Sequence, residues 1–206
     1  MLQQDYTSPY GVVRLFADRE RLCRVELAHD GFECRTPARP GRMDPWPARR
    51  PAPRGNDWWA PFTGMLDRYF QGRDLRCETN TWALDLILSL CVSDFQRLVY
   101  EKLTEVEFGH VVTYGGLARL CGNAGSARAV GRALSANPLP IFVPCHRVVA
   151  AGGGLEGFSA GVEWKKRLLQ HEGWLVRDGR VVRQAQDTSA RRRLRSGASA
   201  CPLPTR

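Results

Sequence analysis

Two N-terminal stretches, Tyr10-Gly11-Val12-Val13-Arg14-Leu15-Phe16 and Leu22-Cys23-Arg24-Val25-Glu26-Leu27, alternate apolar and polar side chains imperfectly around the charged run Asp18-Arg19-Glu20-Arg21. Successive strand side chains point to opposite faces, so this pattern predicts a β-hairpin. Between 35 and 56 the periodicity is lost. Pro37, Pro40, Pro45, Pro47, Pro51 and Pro53 lie there among arginines and glycines, a composition that predicts a loop or linker. Helical spacing begins at Trp58 and runs through Phe62, Leu66 and Tyr69 to a stop at Gly72. The strongly apolar segment Leu84 to Leu90 reads as a strand.

After Cys91 the pattern turns to short helices. Ser93-Asp94-Phe95-Gln96 has the capping-box form, opening a helix through about Val106 with Phe95, Leu98, Val99 and Leu103 as its apolar stripe; Gly109 ends it. Thr113 is the N-cap expected for a helix to Leu120, closed by Gly122-Asn123. A second short helix runs from Ser126 to about Ala136 and stops at Asn137-Pro138, and a last one runs from Val162 to His171 with Gly173 at the C′ position. Two short helices joined by a tight Gly-containing turn predict a helix-turn-helix. The fold class is therefore α+β. A small N-terminal α/β domain with antiparallel strands spans 1–90, a mostly helical, winged-helix-like domain with the helix-turn-helix spans 91–178, and a basic tail, expected to be disordered, spans 179–206.

Composition changes the picture only where it is uneven. The chain has 206 residues and a formal charge of +9, with 43% hydrophobic and 25% charged residues. Those values exclude a fibrous or wholly disordered chain. The tail holds Arg191, Arg192, Arg193 and Arg195, so much of the excess charge lies outside the predicted core. Residues 108–155 contain no acidic side chain but include Arg119, Arg128, Arg132 and Arg147, the electrostatic arrangement a phosphate backbone requires. Seven cysteines without a C-x-x-C pair fit a reducing compartment. No apolar run approaches the ~20 residues of a membrane span, and the first residues lack a signal-peptide pattern. The expectation is a protein of the prokaryotic cytoplasm or the eukaryotic nucleus, with no membrane partner and monomeric in solution.

The predicted second helix presents Ala127, Ala129, Gly131 and Ala133 around Arg128 and Arg132. Small side chains let a helix approach DNA closely in the minor groove; they equally suit a helix packed against a neighbour. The chemistry is concentrated in Asn137-Pro138-Leu139-Pro140-Ile141-Phe142-Val143-Pro144-Cys145-His146-Arg147. A free thiol with pKa of about 8.5 is mostly un-ionised at neutral pH and needs a base. His146 can serve Cys145 only if the backbone turns at Pro144 or a water bridges the two, and Glu172 is the candidate that orients the imidazole. On residues alone, a Cys-His dipeptide more often marks a structural cysteine beside a satisfied histidine.

Pro144-Cys145-His146-Arg147-Val148-Val149 resembles the active-site hexapeptide of the O6-alkylguanine-DNA alkyltransferases. The similarity extends to Phe108-Gly109-His110-Val111-Val112-Thr113-Tyr114 through Ala118, to Ala127–Gly131 with Asn137-Pro138, and to Gly154–Gly161 with Lys165–Gly173. It covers about 93–174 well and the N-terminal half loosely. The resemblance implies direct reversal of DNA damage, with the alkyl group moving irreversibly from O6 of a flipped-out guanine to Cys145. Cys145, His146, Glu172, Tyr114 and Asn137 would form the catalytic set, with Tyr114 protonating N3 of the departing base. Arg128 would fill the vacated stack. Thr113, Tyr114, Gly115, Asn123, Ala127, Ala129, Gly131 and Ala151 would contact double-stranded DNA through the minor groove. Pro140, Gly157, Phe158, Ser159 and Ala160 would wall the base pocket. Position 158 is usually Tyr in the family, so a hydroxyl is lost there. Some members hold zinc, but Cys23 and His29 have Asp5 and Asp85 where further Cys or His ligands are needed. Neither a metal nor another cofactor is expected. A damage binder without chemistry, a Cys-His hydrolase and a plain helix-turn-helix regulator are the rival readings.

Overall fold

The alternating N-terminal segment forms a four-stranded antiparallel sheet in the order β1 (Leu2–Ser8), β2 (Gly11–Asp18), β3 (Arg21–His29) and β4 (Phe32–Glu33). The structure is a computed structural model that describes residues 2–18, 21–29, 32–33, 59–75 and 82–182. The proline-rich 35–56 stretch and the chain beyond 182 lie outside the described residues. Strands β2 and β3 are the predicted hairpin, with Val13 opposite Leu27 and Leu15 opposite Val25, all fully buried. Their alternation is imperfect because the register shifts between Phe16 and Ala17, which puts both side chains inside. Strand β1 carries exposed Gln3, Gln4 and Asp5 on an outer edge, which is why no alternation marks it.

Helix α1 (Ala60–Phe70) buries Phe62, Met65, Leu66 and Tyr69, and the chain turns away at Gly72 with φ of 80°. Leu84–Leu90, expected as a strand, instead belongs to helix α2 (Trp82–Ser89). A short apolar run does not distinguish a buried helix from a strand by periodicity, and this one is rich in leucine rather than β-branched residues. Helix α3 (Asp94–Thr104) opens with Ser93 as N-cap, its Oγ accepting from the Gln96 amide at 3.2 Å; Gln96 Oε1 reaches back one residue further than in a capping box and accepts from the Val92 amide at 2.8 Å. Its buried face comprises Gln96, Val99, Tyr100, Leu103 and Thr104, while Phe95 and Leu98 sit half-buried at the edge.

Next come β5 (Val112–Thr113), α4 (Tyr114–Leu120) and α5 (Ala127–Ser135), the two short helices of the helix-turn-helix. Thr113 Oγ1 accepts from the Gly116 amide at 3.0 Å, so Thr113 is the N-cap of α4. Tyr100 ties α3 to α5 by donating to the Ala133 carbonyl at 3.0 Å. A 3-10 turn over Cys145–Arg147 leads into β6 (Val148–Val149), which pairs in parallel with β5. Helix α6 (Val162–His171) ends at Gly173 with φ of 87°. The chain then forms a hairpin of β7 (Leu175–Arg177) and β8 (Arg180–Val182) around Asp178-Gly179, both at positive φ. The boundary drawn at 178 therefore falls inside an ordered element, and the hairpin docks on the 150–155 loop through Val181 N–H to Gly153 O at 2.9 Å.

The two halves share one core. Trp164 of α6 is wholly buried against the start of β2, where a Cβ on Gly11 would lie 2.5 Å from the Ala28 carbonyl oxygen. The Val25 amide donates to Pro138 O at 2.7 Å, and Arg167 donates to Tyr10 O at 2.6 Å. No helix among the described residues is long and apolar enough to cross a membrane. Removing the α3 cap by Ser93→Ala should lower unfolding free energy by about 1 kcal/mol, read as a lower urea midpoint with unchanged slope.

Candidate active site and nucleic-acid interface

The backbone between Asn137 and Pro144 is held by one side chain. Asn137 is buried; its Oδ1 accepts from the Leu139 amide at 3.0 Å and its Nδ2 donates to Val143 O at 3.0 Å. The loop includes Ile141 at φ of 76°, a conformation a β-branched residue adopts only when its surroundings impose it. The same Asn137 Nδ2 donates to Cys145 Sγ at 2.9 Å. Pro144, with ψ of 58°, delivers the chain into the 3-10 turn, so Cys145 and His146 escape the opposite-face geometry of a strand.

His146 is wholly buried, and its Nε2 lies 2.8 Å from Glu172 Oε1. An ionised carboxylate only accepts, so Nε2 carries the proton and Nδ1 keeps its lone pair. Nδ1 is buried and makes no hydrogen bond among the described residues. Glu172 also accepts from Arg147 Nε at 3.0 Å and Nη2 at 2.9 Å, from the Gly109 amide at 3.0 Å and from the Tyr69 hydroxyl at 3.1 Å. Burial opposes ionisation of this carboxyl, but His146 and Arg147 outweigh it and hold the group down to about 2. For His146, burial dominates over Glu172 and lowers its proton affinity, keeping the ring neutral.

Burial pushes the Cys145 thiol up to about 11, against the opposing pull of Asn137 and Lys165. Lys165 was not anticipated from sequence. Its Nζ is buried with no hydrogen-bond partner among the described residues, 6.0 Å from the centre of the Tyr114 ring, and desolvation lowers it to about 8. A lysine one turn inside an amphipathic helix ordinarily reads as a solvated face, so only tertiary packing reveals it. Tyr114 is half-buried; desolvation, Cys145 and Glu156 raise its phenol, which stays protonated. Its hydroxyl makes only long contacts, 3.4 Å to Glu156 O and 3.5 Å to Gly157 O. A Cβ on Gly157 would sit 2.9 Å from that hydroxyl. Pro140, Phe158 and Ala160 are buried, and Ser159 is half-buried beside them in sequence.

The helix-turn-helix exposes Arg119, Arg128 and Arg132, with Asn123 and Ala151 also exposed and Gly115, Ala127, Ala129 and Gly131 half-buried. The core side of α5 is Val130, Ala133 and Leu134, which leaves the other small residues toward its outer side. Arg147 departs from the expected basic surface. It is 3% exposed and committed to Glu172 and to the Val106 carbonyl, so three arginines of the acid-free window remain for a polyanion. Asp5 pairs with Arg14 at 3.1 Å, the Cys23 thiol faces Phe16 O at 3.4 Å, and no group of three His, Cys, Asp or Glu among the described residues could hold a metal.

The helix-turn-helix is thus joined at its end to a buried Cys–Asn contact next to a His–Glu pair, the arrangement the sequence resemblance implies. Residues 94–174 match the family model described as 6-O-methylguanine DNA methyltransferase, DNA binding domain. The chain is 34% identical over 172 residues to a methylated-DNA–protein-cysteine methyltransferase of Metallosphaera sedula, covering 84% of this chain and 93% of that one. It is 40% identical over 165 residues to the Mycobacterium leprae protein of the same name, covering 80% and 88%. Among solved structures, Mycobacterium tuberculosis OGT in complex with DNA superposes with a TM-score of 0.55 at 26% identity, over 83% of this chain and 92% of that one. The Pyrococcus kodakaraensis O6-methylguanine-DNA methyltransferase gives 0.56 at 27%, over 83% and 98%. The chain belongs to the methylated-DNA–protein-cysteine methyltransferase family.

Glu172→Gln should reduce unfolding free energy by about 3–5 kcal/mol at pH 7, because Arg147 is then buried without a counter-charge. The ionised carboxyl contributes fully above its unfolded pKa of about 4.3 and loses that contribution as pH falls toward 2. The gap between wild type and variant in urea denaturation should therefore narrow from about pH 5 downward.

Proposed function

We propose that this protein repairs DNA by direct reversal, accepting the alkyl group of O6-alkylguanine on Cys145 in a single irreversible displacement. The observation that carries the reading is Cys145 Sγ held 2.9 Å from Asn137 Nδ2, next in sequence to a buried His–Glu pair, in a chain of this family. The Cys145 proton passes through a bridging water to His146 Nδ1, and Glu172 supports the imidazolium that forms. The thiolate attacks the alkyl carbon; the S–C bond forms as the C–O6 bond breaks, and the electron pair leaves on the guanine. Tyr114, a protonated phenol with only weak contacts, delivers its proton to N3 of the departing base. Lys165 lies where its positive charge favours both the thiolate and the deprotonated phenol. The thioether product resists hydrolysis, so each molecule acts once, and the reaction draws on no cofactor.

O6 lies inside the base pair, so the nucleotide must leave the stack. Exposed Arg128 fills the gap, while the small outer residues of α5 and the backbone around Thr113, Tyr114, Gly115, Asn123 and Ala151 approach the minor groove. The base then rests against Pro140 and the 157–160 loop. The protein acts as a monomer, in the prokaryotic cytoplasm or the eukaryotic nucleus.

Incubation with O6-methylguanine DNA should add about 14 Da, one methyl in place of a proton, to the Cys145 peptide. At most one equivalent should transfer, and Cys145→Ala should show none; DNA binding without an adduct on wild type would overturn the reading. Arg128→Ala should slow repair of duplex DNA at least about tenfold while changing reaction with free O6-benzylguanine by less than about twofold. Equal losses on both substrates would remove the stacking role from Arg128.

A further inference from the structure

The side-chain network at Glu172 includes one member from the N-terminal half. Tyr69 is on α1, 77 residues from His146 and 103 from Glu172. Its side chain is fully buried, and its hydroxyl lies 3.1 Å from Glu172 Oε1 and 3.3 Å from His146 Nε2. With Nε2 protonated, its N–H points mainly at Glu172 Oε1, 2.8 Å away, with Tyr69 Oη a longer second acceptor at 3.3 Å, while the Tyr69 hydroxyl donates to that same carboxylate oxygen and so competes with Nε2–H for it. Burial and Glu172 raise the Tyr69 phenol well above its ordinary value, which keeps it a permanent donor.

The residue is held at both ends by the close of α6. His171 Nε2 donates to the Tyr69 carbonyl at 2.8 Å, while His171 Nδ1 accepts from the Tyr10 hydroxyl at 3.2 Å. The Tyr69 ring meets Phe70, Phe108, His146 and His171 at centroid separations of 5.1–6.1 Å. A phenylalanine would satisfy all those ring contacts. The hydroxyl is therefore the part that packing does not explain.

We propose that Tyr69 is a positioning residue for alkyl transfer, sharing Glu172 Oε1 with His146 so that the imidazole stays neutral and its Nδ1 stays free to take the Cys145 proton. This rests on the reading of Cys145 as alkyl acceptor. A carboxylate that accepts from several donors gives less to each one. Withdrawing the Tyr69 donor strengthens the remaining Nε2–H···Oε1 bond and makes the imidazolium easier to form. The charged and titratable groups around His146 are Glu172 and Lys165 at opposite ends of α6, Arg147 and Cys145 in its own turn, and Tyr69 from α1. Of these, Tyr69 and the un-ionised Cys145 carry no formal charge, and Tyr69 is the one of the two that can be altered without removing the thiol itself.

The test is Tyr69→Phe in the full chain, with free O6-benzylguanine as substrate so that DNA binding does not enter. The single-turnover rate against pH should keep its plateau within about twofold, while its acidic limb moves to higher pH by about 0.5–1 unit. On the limb that is a loss of about three- to tenfold. The His146 imidazole resonance, followed by NMR in a Cys145→Ala background, should show its midpoint raised by the same amount in the Tyr69→Phe protein. A uniform fall in rate with an unmoved limb and midpoint would make Tyr69 merely structural, and an unchanged profile would make it a bystander; either overturns the proposal. If wild type transfers nothing to Cys145, the functional reading fails, and the NMR midpoint alone then decides whether Tyr69 tunes His146.

Discussion

A buried carboxylate with no way out to water organises this molecule. Glu172 stands at the end of α6 with its side chain fully buried, where an ionised group survives only if its lone pairs are met by donors. Arg147 and His146 from the cysteine turn, Tyr69 from α1 and the Gly109 amide from the loop after α3 meet them. The carboxylate therefore pins these segments together at one point, and the orientation of the His146 imidazole is a product of that junction. The same requirement turns Arg147 inward, although its neighbours in sequence belong to a basic surface.

The second constraint joins the DNA-facing helices to the thiol. Strand β5 ends at Thr113, the cap of α4, and β6 begins directly after the Cys145–Arg147 turn; the two pair in parallel with Val112 opposite Val148. Tyr114, the first residue of α4, is thus fixed relative to Cys145 by two residue pairs of backbone. On the other side, Asn137 follows α5 and reaches Sγ itself. Both helices of the helix-turn-helix are in this way tied to Cys145 by their ends, so that in the proposed reaction a base brought in along those helices meets a thiol whose position is already set.

Much of this was legible because the signals are local. The β2–β3 hairpin, α1, the Ser93 and Thr113 caps and the glycine after α6 all depend on residues within one turn of each other. A turn at Cys145 was one of the two arrangements, a bridging water being the other, that the sequence left open for Cys145 and His146, and Pro144 favoured it. Leu84–Leu90 was misread because seven residues with Asp85 and Ser89 as their polar positions are too few to fix a period, and the Asp178-Gly179 hairpin was passed over because the tail boundary was drawn through its turn. Tyr69 and Lys165 were invisible for a different reason. One shows as a core aromatic at helical spacing and the other as an ordinary helix lysine, and each acquires chemistry only when packing removes water from around it. Arg147 is the converse case, a charge assigned to the surface by composition and claimed for the interior by Glu172.

The inertness of the resting thiol follows from the same burial. At neutral pH a thiol held near 11 is almost wholly protonated, so Cys145 is a poor nucleophile toward anything that meets the protein in solution. For a protein that each reaction consumes, this matters more than speed: a permanently ionised thiolate would be spent on any passing electrophile. Reactivity has to appear only when a base fills the pocket, and the parts for that are latent. Among the described residues neither Nδ1 of His146 nor Nζ of Lys165 has a hydrogen-bond partner, so the one can accept a proton and the other carries a desolvated charge. In the proposed reaction a bound base shuts out water and strengthens both effects at Sγ, so that occupancy of the pocket, rather than the cysteine's own resting state, would set when the nucleophile exists.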